Sequence, residues 1–333
     1  MNRIILGHGS GGRLMHDLIR SLLLRKLNNP ILKELSDSAR LEYKDDIAFT
    51  TDSFVVSPLF FPGGDIGKLS VCGTVNDLVM LGAEPEFLSL AMIIEEGLDY
   101  KILEKIVDSI DASAKAAGAR IVTGDLKVVE KGAADKIFIN TSGVGKIIKK
   151  KRLSLANIRP GDKIIVTGEI AQHGLAVLAK RKELDLGFNL KSDCAALNGL
   201  LIPVLRKTDA IKFMRDPTRG GVATTLNEVA EASGLGIVIE EENIPVSSKA
   251  RVACELLGID PLYVANEGKA IVVASVAGAK RALGLLKKHP LGKGARIIGE
   301  VVRRPKGKVI LNTTLGTQRM VDMLTSEPLP RIC

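Results

Sequence analysis

The chain contains no tryptophan, and aromatic residues make up only 3% of its 333 positions. Single-strand nucleic-acid binders stack bases on flat rings, so this shortage argues against a nucleic-acid partner. The four cysteines, Cys72, Cys194, Cys254 and Cys333, show no CxxC spacing, which excludes a zinc ribbon and a disulfide framework. No apolar run approaches the roughly 18 residues a membrane span needs. The amino-terminal MNRIILGHGSGG lacks the cationic start and apolar core of a signal peptide. A soluble, cytoplasmic protein with no membrane partner is the expectation. Most of the chain also lacks any charge surplus. The net charge of +9 is concentrated in residues 280–308, where ten Lys/Arg face one acid, Glu300; the run reads as solvated helix and loop surface.

The chain is long enough for two domains, and 46% hydrophobic with 26% charged residues is an ordinary globular balance. Strand-like and helix-like segments interleave, which points to an α/β (α+β) fold. Strands are expected at 47–56, 86–94, 120–123 and 136–148. One helix is expected from the cap Asp65 to about Leu81. Another runs from Asp99 to Gly118, with Ile102, Leu103, Ile106, Val107 and Ile110 at helical spacing. Lys149 to Arg152, followed by Pro160 and Gly161, reads as the boundary between domains at 1–152 and 153–324. Beyond it, strands are expected at 163–167, 236–240, 269–276, 295–302 and 308–311. Helices are expected at 173–181, 195–207, 219–233, 248–257 and 277–287, with a final helix ending near Leu324. Residues 325–333, TSEPLPRIC, carry two prolines and are expected to form a projecting, mobile tail with a thiol at its tip.

Acidic residues recur at suggestive places. In the stretch from Asp45 to Asp52, strand alternation puts Ile47 and Phe49 on one face and Asp46, Thr50 and Asp52 on the other. Acids are poor strand formers and call for solvent, a cation or a phosphate-bound metal. Asp77, beside Asn76, interrupts an apolar helix and is costly facing inward unless paired. Gly124-Asp125 reads as the end of the strand Ile121-Val122-Thr123, and Arg215-Asp216 precedes a helix start at Arg219-Gly220-Gly221. Such carboxylates suit magnesium on a nucleotide, and the helix start suits phosphate. Gly7 to Gly12 is glycine-rich without a Walker or dinucleotide pattern, so it reads as a flexible terminal loop with His8 a loop histidine. Cys72, Cys194 and Cys254 read as core; Cys333, at the end of a possible ~30 Å arm, is the reactive candidate.

Together, DD…TTD…ND…GD…RDPTRGG, from Asp45 to Gly221, resembles the ATP-dependent enzymes related to aminoimidazole ribonucleotide synthetase, selenophosphate synthetase and thiamine-monophosphate kinase. HGSGG (8–12), VTGDLKVVEKG (122–132), MRDPTRGGVATTLNE (214–228), ANEGK (265–269) and the terminal PRIC (330–333) narrow the resemblance to the hydrogenase-maturation carbamoyl dehydratases of that group. The resemblance implies two α/β domains, the first forming a barrel with its twin in a homodimer. ATP and Mg²⁺ are implied near that interface. Nucleotide contacts then fall on Gly9, Gly11, Gly12, Asp52, Asn76, Gly124, Asp125, Arg219 and Gly220, and metal contacts on Asp45, Asp46, Asp52, Asp77 and Asp216. A carbamoyl group placed on Cys333 by the carbamoyltransferase HypF would be dehydrated to a thiocyanate, with Glu267 as proton acceptor and Lys127 as charge stabiliser. The cyano group would pass to iron on HypC–HypD and become a cyanide ligand of [NiFe] hydrogenase. No cysteine precedes Cys72, which argues against selenophosphate synthetase, and the other two relatives have no use for a terminal thiol. A basic non-enzymatic scaffold would have no need of the aspartates.

Overall fold

The structure, a computed structural model, describes residues 12–18, 20, 39–41, 46–148, 153–184, 186–324 and 331–333. The first sheet has the order β1-β2-β7-β5-β6. It is built from β1 (Ala39–Leu41), β2 (Ile47–Phe54), β5 (Ala83–Glu95), β6 (Arg120–Val129) and β7 (Ile137–Ile147). Between β2 and β5 come the short pair β3 (Phe60–Phe61) and β4 (Gly64–Asp65), then a helix, α2 (Ile66–Met80); α1 (Arg13–Leu18) precedes the sheet. All pairings are antiparallel except β5 with β6. That parallel pair is joined by the crossover helix α3 (Tyr100–Ala117), as parallel neighbours require.

Local chemistry explains the helices. Asp65 caps α2 by accepting from the amides of Gly67 and Lys68 at 2.8 and 3.0 Å, and Asp99 caps α3 through Lys101 at 2.7 Å. Helix α2 is apolar nearly all round and buried nearly all round, as such a helix must be. It lies between the first sheet and the carboxyl-terminal half. Strand β2 alternates as its sequence requires, but its helix-facing side carries Ala48, Thr50, Asp52 and Phe54, while Phe49 points outward. The acidic face is therefore the covered one.

The second sheet runs β14-β13-β10-β12-β8-β11-β9. Its strands are β8 (Lys163–Val166), β9 (Ile211–Arg215), β10 (Gly236–Glu240), β11 (Ile271–Ala274), β12 (Arg296–Val302), β13 (Val309–Asn312) and β14 (Gln318–Met320). Helices α4 (Gln172–Arg181), α5 (Asn198–Lys207), α6 (Gly221–Ser233), α7 (Ser248–Leu257) and α8 (Ala279–Leu286) complete this half. One apolar cluster spans both halves, from Val75, Val79 and Leu88 to Leu197, Leu201 and Leu205.

Three expectations are corrected. β6 does not stop before Gly124: it continues to Val129, paired with β5 through a register shift, because Val128 and Val129 extend the strand-forming run. No helix ends near Leu324. Instead the Thr313 amide donates to the Thr317 carbonyl at 2.8 Å, closing a turn that returns β14 against β13. Residues 331–333 do not project; they are docked, with Ile332 in the shared core. Strands β9 and β14 were not expected at all. The Lys149–Arg152 cluster and the prolines Pro328 and Pro330 lie outside the described residues. Among the described residues, no helix is long and apolar enough to cross a membrane.

Asn76 ties the halves together. From α2 its Nδ2 donates to the carbonyls of Ala195 and Glu267 at 3.1 and 3.3 Å, and its Oδ1 accepts from the Leu197 amide at 2.8 Å. Replacing it with alanine strands these buried groups. Asn76→Ala is expected to lower unfolding free energy by about 2–4 kcal/mol, read as an earlier urea midpoint.

Candidate active site

The segments carrying the acids converge where the two halves meet. Strand β2 supplies Asp52 and α2 supplies Asp77. The loop between β9 and α6 supplies Asp216 and Arg219, the turn before β11 supplies Glu267, and the carboxyl terminus supplies Cys333. Arg219 lies among the negative charges of Cys333, Asp52, Glu267 and Asp77, and they raise its pKa with Cys333 the largest contributor. Burial pushes the Glu267 carboxyl well above the usual range, and the like charges of Asp216, Asp52 and Asp193 push it further, against the pull of Arg219. Burial also raises Asp52, opposed by Arg219 and by the Ser53 amide, which donates to Asp52 at 2.7 Å. Asp77 accepts from the Thr50 hydroxyl at 2.8 Å, part of the pairing an inward acid needs.

The turn that bears Glu267 is held rigidly. Asp193 accepts from the amides of Glu267 and Gly268, both at 3.2 Å, and pairs with Lys269 at 3.1 Å. A side chain at position 268 would sit 1.9 Å from the Asp193 carbonyl, so only glycine permits this approach. Asn266 accepts from the Ala171 amide at 2.8 Å and donates to the Pro217 carbonyl at 3.0 Å. That second bond fastens the Glu267 turn to the loop of Asp216 and Arg219. At the start of α6, Gly220 has φ +74° and supplies no side-chain cap, and the Gly221 amide donates to the Thr218 carbonyl at 3.0 Å. Asp193 and Asn266 escaped the sequence reading: Asp193 stands in no motif, and Asn266 was quoted only as a neighbour of Glu267.

The tail extends along residues 55–57, just beyond β2. The Val55 amide donates to the Cys333 carbonyl at 3.2 Å, and the Ser57 amide to that of Arg331 at 3.3 Å. Arg331 Nε donates back to the Val55 carbonyl at 2.9 Å, and Arg181 donates to the Arg331 carbonyl at 2.5 Å. His173 Nε2 lies 2.9 Å from the Ile332 carbonyl. The arm long enough to reach a cleft thus occupies one.

Other expected site residues sit elsewhere. Gly124, Asp125 and Lys127 lie within β6, which is exposed along nearly its whole length. There Lys127 pairs with Asp125 at 2.6 Å and holds its carboxyl below the usual range. Asn76, expected as a nucleotide contact, has both amide hydrogens on the clamp between the halves. The Asp46 carbonyl accepts from the Ile147 amide at 3.0 Å, as an extension of the sheet. The Gly12 carbonyl accepts from the His16 amide at 3.3 Å, in the first turn of α1. Gly9, Gly11 and Asp45 lie outside the described residues. Among the described residues, no three His, Cys, Asp or Glu side chains close into a metal cage. Cys72, Cys194 and Cys254 are buried, as expected of core cysteines.

Comparison with known proteins places this geometry. The model of the AIR synthase related protein N-terminal domain matches residues 35–147, and that of the C-terminal domain matches residues 159–312. Carbamoyl dehydratase HypE of Escherichia coli (strain K12) is 47% identical, with all of both chains covered. A crystal structure of hydrogenase maturation protein HypE in complex with ATP is 46% identical with a TM-score of 0.84, covering 99% of this chain and 100% of that one. A HypE–HypF complex contains a chain 49% identical with a TM-score of 0.88, covering 92% of this chain and 99% of that chain. Full-length likeness in sequence and fold, together with a cysteine seated at the meeting point of the acids, establishes that the chain belongs to the carbamoyl dehydratase HypE family of the AIR synthase-related proteins.

Proposed function

We propose that the protein dehydrates an S-carbamoyl group on Cys333 to an S-cyano group with ATP, supplying the cyanide ligand for the iron of [NiFe] hydrogenase. The seat of Cys333 carries this reading: its main chain is held by Val55, and its charge acts on Arg219 together with those of Asp52, Glu267 and Asp77. In the reaction, Cys333–S–C(O)NH₂ and ATP become Cys333–S–C≡N, ADP and phosphate. An amide oxygen leaves poorly, so it accepts the γ-phosphoryl group first and departs within phosphate. Positioning and charge stabilisation do most of this work.

Arg219 offsets negative charge gathering on the oxygen, and the helix start at Arg219 and Gly220 serves the phosphate. Glu267, held by Asp193, takes a proton from the carbamoyl nitrogen. Magnesium bound with the nucleotide would neutralise phosphoryl charge. Asp52, Asp77 and Asp216, together with Asp45 and Asp46, would offer the hard oxygens it prefers.

The strand β6 supports a homodimer. Val122, Leu126 and Val128 are exposed large apolar side chains along it, a surface that a soluble monomer rarely presents. Pairing this strand with a second copy also places Gly124, Asp125 and Lys127 within an interface rather than in solvent, where they serve the nucleotide and the developing charge. HypF delivers the carbamoyl group, consistent with the solved HypE–HypF complex, and HypC–HypD receives the cyano group.

Five outcomes are expected. Protein carbamoylated on its thiols with cyanate loses one water from the peptide ending at Cys333 only with Mg-ATP, read by carboxyl-terminal peptide mass spectrometry; ATP consumption with an unchanged peptide would move the substrate elsewhere. Glu267→Gln slows dehydration at least about 100-fold while ATP still binds. Because its pKa is raised in the folded protein, the wild-type rate climbs with pH above the ordinary glutamate range. Stability linked to Glu267 runs the opposite way: it is present below pH ~4.5 and lost as pH rises through the folded-state pKa. Finally, Val128→Glu yields a monomer by light scattering and loses ATP turnover.

A further inference from the structure

Among the buried groups that this mechanism leaves unused, one imidazole touches the tail itself. His173, on α4, is fully buried. Its Nε2 lies 2.9 Å from the Ile332 carbonyl and its Nδ1 lies 2.8 Å from the Ser192 hydroxyl. A carbonyl oxygen only accepts, so Nε2 must carry the hydrogen. The Ser192 oxygen already accepts from the Cys194 amide at 3.0 Å; its own hydrogen therefore goes to Nδ1. Every group in the chain Cys194 amide, Ser192, His173, Ile332 carbonyl is satisfied in one tautomer. The ring of Phe61 stands edge-on to the imidazole at 5.4 Å between centroids and fixes its plane. Burial keeps the ring neutral, the form this relay requires.

We propose that His173 is the positioning residue that seats the reactive end of the tail, its Nε2–H selecting the docked over the withdrawn position by gripping the peptide carbonyl immediately before Cys333. The inference rests on Cys333 being the carbamoylated residue. Val55, Ser57 and Arg181 bond to the main chain of Arg331 and Cys333, Asp135 pairs with the Arg331 side chain, and the Ile332 side chain packs in the shared core. His173 bonds to the carbonyl of the peptide that carries Cys333, so it limits rotation that would carry Cys333 away from Arg219. Ser192 adjoins Asp193, which grips the Glu267 turn, so one short segment sets both the latch and the proton acceptor.

The test compares full-length wild type, His173→Leu and His173→Gln, the glutamine keeping a donor near the place of Nε2. Two readouts are used: release of Cys333 by a broad-specificity carboxypeptidase, and single-turnover dehydration of cyanate-carbamoylated protein at saturating Mg-ATP. His173→Leu should release Cys333 about tenfold faster and dehydrate about tenfold more slowly, the effect of one buried hydrogen bond. Its ATP affinity should stay within about twofold of wild type, and glutamine should restore both rates. Unchanged release from a folded His173→Leu protein would overturn the proposal, as would slowed dehydration with wild-type release. Should the leucine variant fail to fold, Ser192→Ala, which removes the support of the tautomer, must loosen the tail by the same release assay or the proposal falls. A wild type that keeps its carbamoyl group with ATP refutes the dehydration reading, whereas the release assay still judges the latch.

Discussion

Arg219 sits among charges that repel one another, and most of the surrounding architecture answers to that crowding. Asp52, Asp77, Glu267 and Cys333 all act on it, and the charges of Asp216, Asp52 and Asp193 act on Glu267. Carboxylates withdrawn from water are stable only when paired, hydrogen-bonded or protonated. The chain uses all three remedies. Lys269 pairs with Asp193, Thr50 donates to Asp77, and the Glu267 carboxyl holds its proton to unusually high pH. A site of this kind stores proton affinity where proton transfer is needed, and perturbed groups in clefts mark chemistry for that reason.

The same crowding explains why the halves must not slide. The acids come from β2 and α2 on one side and from the β9–α6 loop and the Glu267 turn on the other. A shared apolar cluster fixes the gross alignment, directional bonds from Asn76 cross between the halves, and Asn266 fastens the Glu267 turn to the Asp216 loop within the second half. A small displacement would separate the proton acceptor from the charge it serves.

The tail makes the substrate part of the chain, which turns a bimolecular encounter into a docking step. Ordering three residues costs roughly 3–6 kcal/mol in backbone freedom. Burying Ile332 contributes about 1.5–3 kcal/mol, and the backbone bonds about 1 kcal/mol each. The opposing terms are of similar size, so the docked tail is held yet releasable. A residue that must visit both a carbamoyl donor and this cleft needs that balance.

Much was legible without coordinates wherever a local rule governs. Asp65 and Asp99 cap the helices expected of them, because a cap depends on the few amides that follow it. The alternation of β2 was readable for the same reason, and the terminal motif around Cys333 pointed to the family. Reach over sequence distance was not readable. Whether the acidic face of β2 is covered depends on α2, and whether β6 ends at Thr123 or runs past Asp125 depends on its partner β5. Nothing in the sequence shows that the hydrogen bonds of Asn76 cross to residues more than a hundred positions away. Asp193 and His173 had no motif to announce them. Their roles arise from what folding places beside them: a turn of two amides and the carbonyl of a docked tail. The sequence determined which groups can accept protons, cap helices and carry a thiol. Tertiary packing decided which of them share a dehydrated space, and their proton affinities follow from that proximity.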